Sequence, residues 1–168
     1  YVYAESWEPI TTFLGTFDGQ GHTISGLYIH GQADKDYTNT GLFGVVGIPE
    51  EDANAKICNV GIKASVFDLR EITKRGDKIG LLAGNFLDGS ASQCFAHGKI
   101  VGNNIYYYIG GLIGLLGGQK VIQYGEAIVT DCYARVDIIS TSQGVLGGVI
   151  GRNERTVLNN SFAAGRGW

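Results

Sequence analysis

The sequence predicts an all-β fold, a parallel β-solenoid of about five rungs joined by loops of unequal length. Three observations predict it. Glycine supplies 27 of the 168 residues against only 2 prolines, roughly double its usual share. A Gly-apolar-apolar-Gly pattern occurs four times, and a six-residue segment alternating small or apolar residues with polar ones occurs five times. Self-similarity of this kind is the mark of a repeat architecture, in which each unit buries its apolar face only against its neighbours. Residues 1–168 are therefore read as one repeat domain.

The chain enters the repeats through residues 13–30. Phe13 to Ile24 reads as a strand, a turn carried by Asp18 to Gly21, and a second strand that leads into the first rung, Ser25 to His30. Residues 40–168 hold the remaining copies. Their first motif appears as Gly41-Leu42-Phe43-Gly44, Leu81-Leu82-Ala83-Gly84, Gly111-Leu112-Ile113-Gly114 and Gly148-Val149-Ile150-Gly151. Adjacent apolar residues on a strand point to opposite faces, so these segments are either buried on both sides or bent at their glycines.

The second motif starts at Ser25, Cys58, Cys94, Cys132 and Ser161. Aligned on those positions, Leu27, Val60, Ala96, Ala134 and Ala163 form a second inward column, and Ile29, Ile62, Gly98, Val136 and Gly165 a third. The intervening residues are aromatic, polar or charged and face out. Between motifs lie turn-rich stretches such as 31–36, 47–52 and 141–144, whose unequal lengths account for the unequal repeat spacing. No helical stripe is expected beyond one short turn within 71–77.

Composition closes off several classes. Apolar residues make up 44% and the net charge is −3, which excludes a disordered chain. No Gly-X-Y period exists, so collagen is excluded, and no apolar run is long enough to span a bilayer. With 13 basic residues, 16 acidic ones and a pI near 5.5, a broad nucleic-acid footprint is not expected. The chain contains no Met and no signal segment, which suggests a piece of a longer protein.

The repeats resemble those of bacterial surface proteins with GLUG-type glycine-rich repeats. Gly110 to Gly114 with Asp131 to Val136, and Gly80 to Gly84 with Gln93 to Gly98, follow the pattern Gly-Gly-Leu-apolar-Gly, a variable turn, then Asn-Cys-Tyr-Ala-x-Gly-x-Val. The stretch Gly15 to Leu27 resembles the segment that often precedes such repeats. Departures are Ala83, Ser161 in place of Cys, and the weakly matching pair at Gly41 and Cys58. The resemblance implies a right-handed β-helix in an extracellular, adhesin-like bacterial surface protein, or one beside a protease or glycosidase domain.

Candidate sites are few. Cys58, Cys94 and Cys132 are read as core residues of one inward column, together with the structural glycines Gly44, Gly84, Gly114 and Gly151. Cβ atoms on successive rungs sit about 4.8 Å apart, wide for a disulfide, and a linear stack cannot surround a metal, so no metal and no cofactor is expected. Asp18 and His22 read as turn residues, and Glu50, Glu51 and Asp52 as a solvated turn. Gly117 to Lys120 lacks the hydroxyl residue of a phosphate loop. Within Tyr106 to Tyr108, Tyr107 is expected to face opposite its neighbours. The outward ladder is the strongest candidate: Phe95, Tyr133 and Phe162 in an aromatic row, with His97 and Arg135 beside it and Lys63, Lys99 and Arg166 beyond. Such a row suits an extended partner, a glycan or a host or bacterial surface polymer. The fold class also hosts polysaccharide lyases and glycosidases, but Asp137 is the only acid on the outward ladder, so no catalysis is expected.

Overall fold

The computed structural model describes residues 5–33, 35–48, 54–72, 78–102, 108–118, 127–141, 144–154 and 156–166. Every element among them is a strand. The chain enters through β1 (Ile10–Phe13), β2 (Thr16–Asp18), β3 (Thr23–Ser25), β4 (Tyr28–His30) and β5 (Asn39–Thr40). It then runs through β6 (Phe43–Val46), β7 (Lys56–Cys58), β8 (Gly61–Asp68) and β9 (Lys78–Ile79). The next coil is β10 (Ala83–Phe86), β11 (Ser90–Ser92), β12 (Phe95–Gly102) and β13 (Tyr108–Gly110). It is followed by β14 (Ile113–Gly117), β15 (Ile128–Thr130), β16 (Tyr133–Ser140) and β17 (Val145–Gly147), and finally by β18 (Ile150–Glu154), β19 (Val157–Asn159) and β20 (Phe162–Ala163).

Strands of successive coils stack in four parallel sheets. The first face is β1-β6-β10-β14-β18 and the second β2-β7-β11-β15-β19. The third is β8-β12-β16-β20 with β3 and β4 side by side against β8, and the fourth is β5-β9-β13-β17. The fold is a parallel β-solenoid. The expected five rungs reduce to about three full turns, because on three faces only the middle three coils are paired on both sides. The end copies pair on one side alone and their inward residues are not sealed: Ile24 is half-buried and Ala163 exposed, whereas Ile62, Ala96 and Ala134 between them are fully buried.

Each face sends one apolar column into a dry interior. Val46, Phe86 and Leu116 come from the first face, Ile57, Ala91 and Val129 from the second, and Ile79 and Ile109 from the fourth; none has accessible surface. At the N-terminal end, Phe13 and Phe17 pack against Phe43 with ring centroids 4.7 and 5.7 Å away, and Trp7 packs against the core. The C-terminal end is more open, with Leu146, Leu158 and Phe162 at 40%, 38% and 60% exposure.

The Gly-apolar-apolar-Gly segments turn out to bend and to be buried on both sides. Leu82 and Ala83, or Leu112 and Ile113, carry the chain from the fourth face to the first and are all fully buried. The following glycines align as expected, with Gly44, Gly84, Gly114 and Gly151 in one column. A Cβ on Gly84 would lie 2.4 Å from the Thr40 nitrogen, and one on Gly114 2.5 Å from the Ile79 nitrogen. The fourth-face strand of the preceding coil presses its backbone there, and no side chain fits between.

Candidate functional site on the third sheet

The outward ladder is aimed by the corner between the second and third faces. A single left-handed residue turns the chain at each of four coils: Asn59, Gln93, Asp131 and Asn160, with φ of 54°, 53°, 53° and 45°. Short polar side chains tolerate that conformation better than most. In the first coil the corner is longer, and Gln20 and Gly21 are left-handed. There Asp18 accepts hydrogen bonds from the Gln20 N–H at 2.9 Å and the Asn59 amide at 3.0 Å. These hold its carboxyl below the usual range, the Asn59 bond most. The turn role expected of Asp18 fits this geometry.

The corner corrects the expected register. Cys58 precedes the left-handed Asn59, whereas Cys94, Cys132 and Ser161 follow Gln93, Asp131 and Asn160. Cys58 consequently pairs with Ser92 on the second face, not with Cys94. Ser25, expected inward, pairs with Lys63 and is exposed. Cys58 is buried, but it follows the inward Ile57 and stands in line with Asp18 and Ser92, so it lies on the outer side of the second face and not in the inward column expected of it.

Cys94 and Cys132 have a shared task. The Cys94 N–H donates to the Cys132 sulfur at 3.4 Å, and the Cys132 N–H to the Ser161 hydroxyl at 3.2 Å. Each side chain also donates to a carbonyl two residues back: Cys94 to Ser92 at 3.2 Å, Cys132 to Thr130 at 3.1 Å, and Ser161 to Asn159 at 2.7 Å. The column requires a small residue that both donates and accepts, which explains why Ser can stand for Cys. Its bond to Cys132, reinforced by burial, raises the Cys94 thiol well above its ordinary range and keeps it protonated.

One residue after that column, the outward row begins. Phe95 lies opposite Tyr133, and Tyr133 opposite Phe162. The rings stack 5.1 and 5.2 Å apart between centroids with interplanar angles of 9° and 6°. The position below Phe95 is Gly61, where a Cβ would come within 2.2 Å of the ring. The glycine lets the Phe95 ring lie across β8, and the Lys63 ammonium sits 5.6 Å from its centroid. Packed in this way, the rings spend their faces on one another and turn their edges outward, which differs from the open row of faces that a sugar ring would stack on.

The next outward position holds Lys63, His97 and Arg135. Because Ile62 pairs with Ala96, Lys63 comes beside His97 and does not join the row of Lys99 and Arg166 as expected, and one extra residue in β8 before Ser65 then sets Val66 opposite Lys99. Lys99 instead lies between Val66 and Asp137, and Asp137 accepts from the Arg166 N–H at 3.1 Å. His97 rests against Phe95 and Tyr133, with centroids 5.1 and 5.4 Å away. Burial first, then Lys63 and Arg135, lower its pKa. Its Nε2 is buried without a hydrogen-bond partner among the described residues.

Sequence reasoning placed the aromatic row correctly but missed the left-handed corner, whose signal was an Asn, Gln or Asp before each Val, Cys or Ser. Tyr106, Tyr107, Glu50, Glu51, Asp52, Gln119 and Lys120 lie outside the described residues, as does 73–77 of the expected short turn. Among the described residues no three His, Cys, Asp or Glu side chains cluster as metal ligands, and no helix is long and apolar enough to cross a membrane.

The comparisons agree with this geometry. The model of the GLUG motif matches residues 105–139, which include the β16 copy with Cys132 and Tyr133. The chain carries GLUG-type repeats. It is also similar to halomucin of Haloquadratum walsbyi, at 31% identity over 118 residues, covering 70% of this chain and 1% of halomucin. The chain thus spans a very small part of that relative's length. No solved structure matches it.

Proposed function

We propose that these GLUG-type repeats form a non-catalytic structural and adhesive module of an extracellular or cell-surface protein, which meets an extended polymer through the outward ladder of the third sheet. The observation that carries this reading is the in-register row Phe95, Tyr133 and Phe162. Backbone pairing fixes its pitch at about 4.8 Å, as an extended repetitive partner requires. Lys63 and Arg135 border the row, and Lys99 and Arg166 lie one outward position farther along. The GLUG match and the similarity to halomucin support the surface location. Right-handed winding agrees with the general preference of parallel crossovers. Carbohydrate binding in service of a neighbouring domain is the same reading with the ligand named.

The test uses Phe95→Ala and Tyr133→Ala, checked by circular dichroism and melting, and measures retention on arrays of host glycans and bacterial polysaccharides. A central contact should cost about 2 kcal/mol or more, a loss near thirtyfold. Folded variants that bind like the parent exclude this face. Release of reducing sugar by the unaltered chain would overturn the non-catalytic part.

A further inference from the structure

We infer that the polymer this ladder selects is an acidic polysaccharide, whose carboxylate or sulfate groups seat against the column Lys63, His97 and Arg135. The inference rests on the reading of the third sheet as a contact face and adds the ligand's chemistry.

Three observations lead there. First, the stacked rings present edges, and the edge of an aromatic ring is the positive pole of its quadrupole. An edge attracts oxygen anions, whereas a neutral sugar packs its C–H surface on a ring face, and those faces are mostly spent within the stack. Second, the adjoining column places the cations Lys63 and Arg135 on either side of His97. Lys63 and Arg135 have no ion-pair partner among the described residues. Asp137, two positions beyond Arg135 on β16, accepts from the Arg166 N–H. Third, His97 lies between them against Phe95 and Tyr133, so a proton gained on its imidazole adds a third positive charge to the column.

The same geometry argues against nucleic acid, which needs open ring faces for its bases, and the chain's net charge of −3 offers no broad basic surface.

The groups facing His97 set the pH dependence. Lys63 stands on one side, Arg135 on the other, and Lys99 follows on its own strand, so the free protein disfavours the imidazolium. A bound anion favours it. Binding therefore strengthens as pH falls through the His97 titration and weakens as pH rises, provided the ligand stays ionised.

The experiment compares dextran, carboxymethyl-dextran and dextran sulfate of matched length, with oligothymidylate alongside, on the 168-residue chain. We expect dextran sulfate and carboxymethyl-dextran to bind at least about tenfold tighter than dextran, and Arg135→Gln to weaken both by about tenfold. Between about pH 8 and about pH 5.5, dextran sulfate affinity should rise severalfold, and His97→Gln should remove that rise. Equal binding of dextran and dextran sulfate, no effect of Arg135→Gln in a folded variant, no pH-dependent rise, or tighter binding of oligothymidylate would each overturn the inference. In any of those cases loss of binding in Tyr133→Ala would still uphold the contact face. Failure of all four polymers to bind would overturn the acidic-polysaccharide inference, and failure across the glycan arrays as well would overturn the contact face.

Discussion

Two corners of the solenoid are built from opposite materials. Between the fourth and first faces the chain turns on glycine, because the backbone of the preceding coil leaves no room for a Cβ at Gly84 or Gly114. Between the second and third faces it turns on side-chain-bearing residues in the left-handed region, Asn59, Gln93, Asp131 and Asn160, and after the last two the Cys132 thiol and the Ser161 hydroxyl each accept an N–H of the coil before. One corner is fixed by exclusion and tolerates nothing larger. The other is fixed by hydrogen bonds and tolerates any residue that supplies them. The difference predicts how each should respond to substitution.

The largest effect belongs to the glycine corner. An alanine at 114 would press its Cβ to 2.5 Å from the Ile79 nitrogen and 2.6 Å from the Gly84 carbonyl oxygen, both backbone atoms of strands paired on either side. Gly114→Ala should cost about 3 kcal/mol or more, as overpacking against an unyielding neighbour does. Gly44 offers an internal control, because its nearest atom, the Thr11 oxygen, would be 3.1 Å away in an end coil that can shift. Gly44→Ala should cost about 1 kcal/mol or less by urea unfolding. Equal losses would mean that chain flexibility, not exclusion, sets the need for glycine.

An intermediate effect is expected at the thiol column. Cys132→Ser keeps a donor for the Thr130 carbonyl and an acceptor for the Cys94 N–H, as Ser161 does one coil later, and should change stability by under about 1 kcal/mol. Cys132→Ala strands the Cys94 N–H in a dry interior and should cost about 1–3 kcal/mol. Losses of equal size in the two variants would show that packing volume matters there and the hydrogen bond does not.

These two corners also differ in how far the sequence discloses them. Exclusion leaves one acceptable residue, so the glycine column could be aligned by inspection. The left-handed corner accepts Asn, Gln or Asp and then Val, Cys or Ser, so residue identity is lost while the turn is kept. Alignment on cysteine misplaced Cys58 by two residues and with it placed Lys63 in the wrong outward row. The inward and outward faces of β12 and β16 were nevertheless legible, because a period-2 pattern encodes parity within one strand, whereas Cys58 belongs to the strand before the corner. The aromatic row was legible for the same reason. Its edge-on stacking was not, since that depends on Gly61 beneath Phe95 and on ring orientation, neither of which alternation records. The closed interior turns were visible as repeats, while the incomplete sealing of the end coils follows from what packs above and below, which no single repeat contains.

The smallest effect should come from the left-handed residue itself, and its sign should be reversed. Gln93 holds φ at 53°, and among the described residues its side chain makes no hydrogen bond, unlike Asn59 to Asp18 at 3.0 Å or Asn160 to Asp131 at 3.2 Å. A long side chain there incurs the steric cost of the left-handed region without compensation. Gln93→Gly removes that strain but also loosens the unfolded chain, which offsets part of the gain. The net should be a stabilisation of under about 1 kcal/mol, and Gln93→Asn should gain a few tenths by a side chain that suits the region better. At Asn59, whose amide bridges to the coil before, the glycine substitution should instead be neutral or destabilising. Thermal melting of the three variants decides the matter. A loss on Gln93→Gly as large as on Asn59→Gly would mean that the Gln93 side chain contributes to the corner after all, and that the two kinds of corner differ less than their geometry implies.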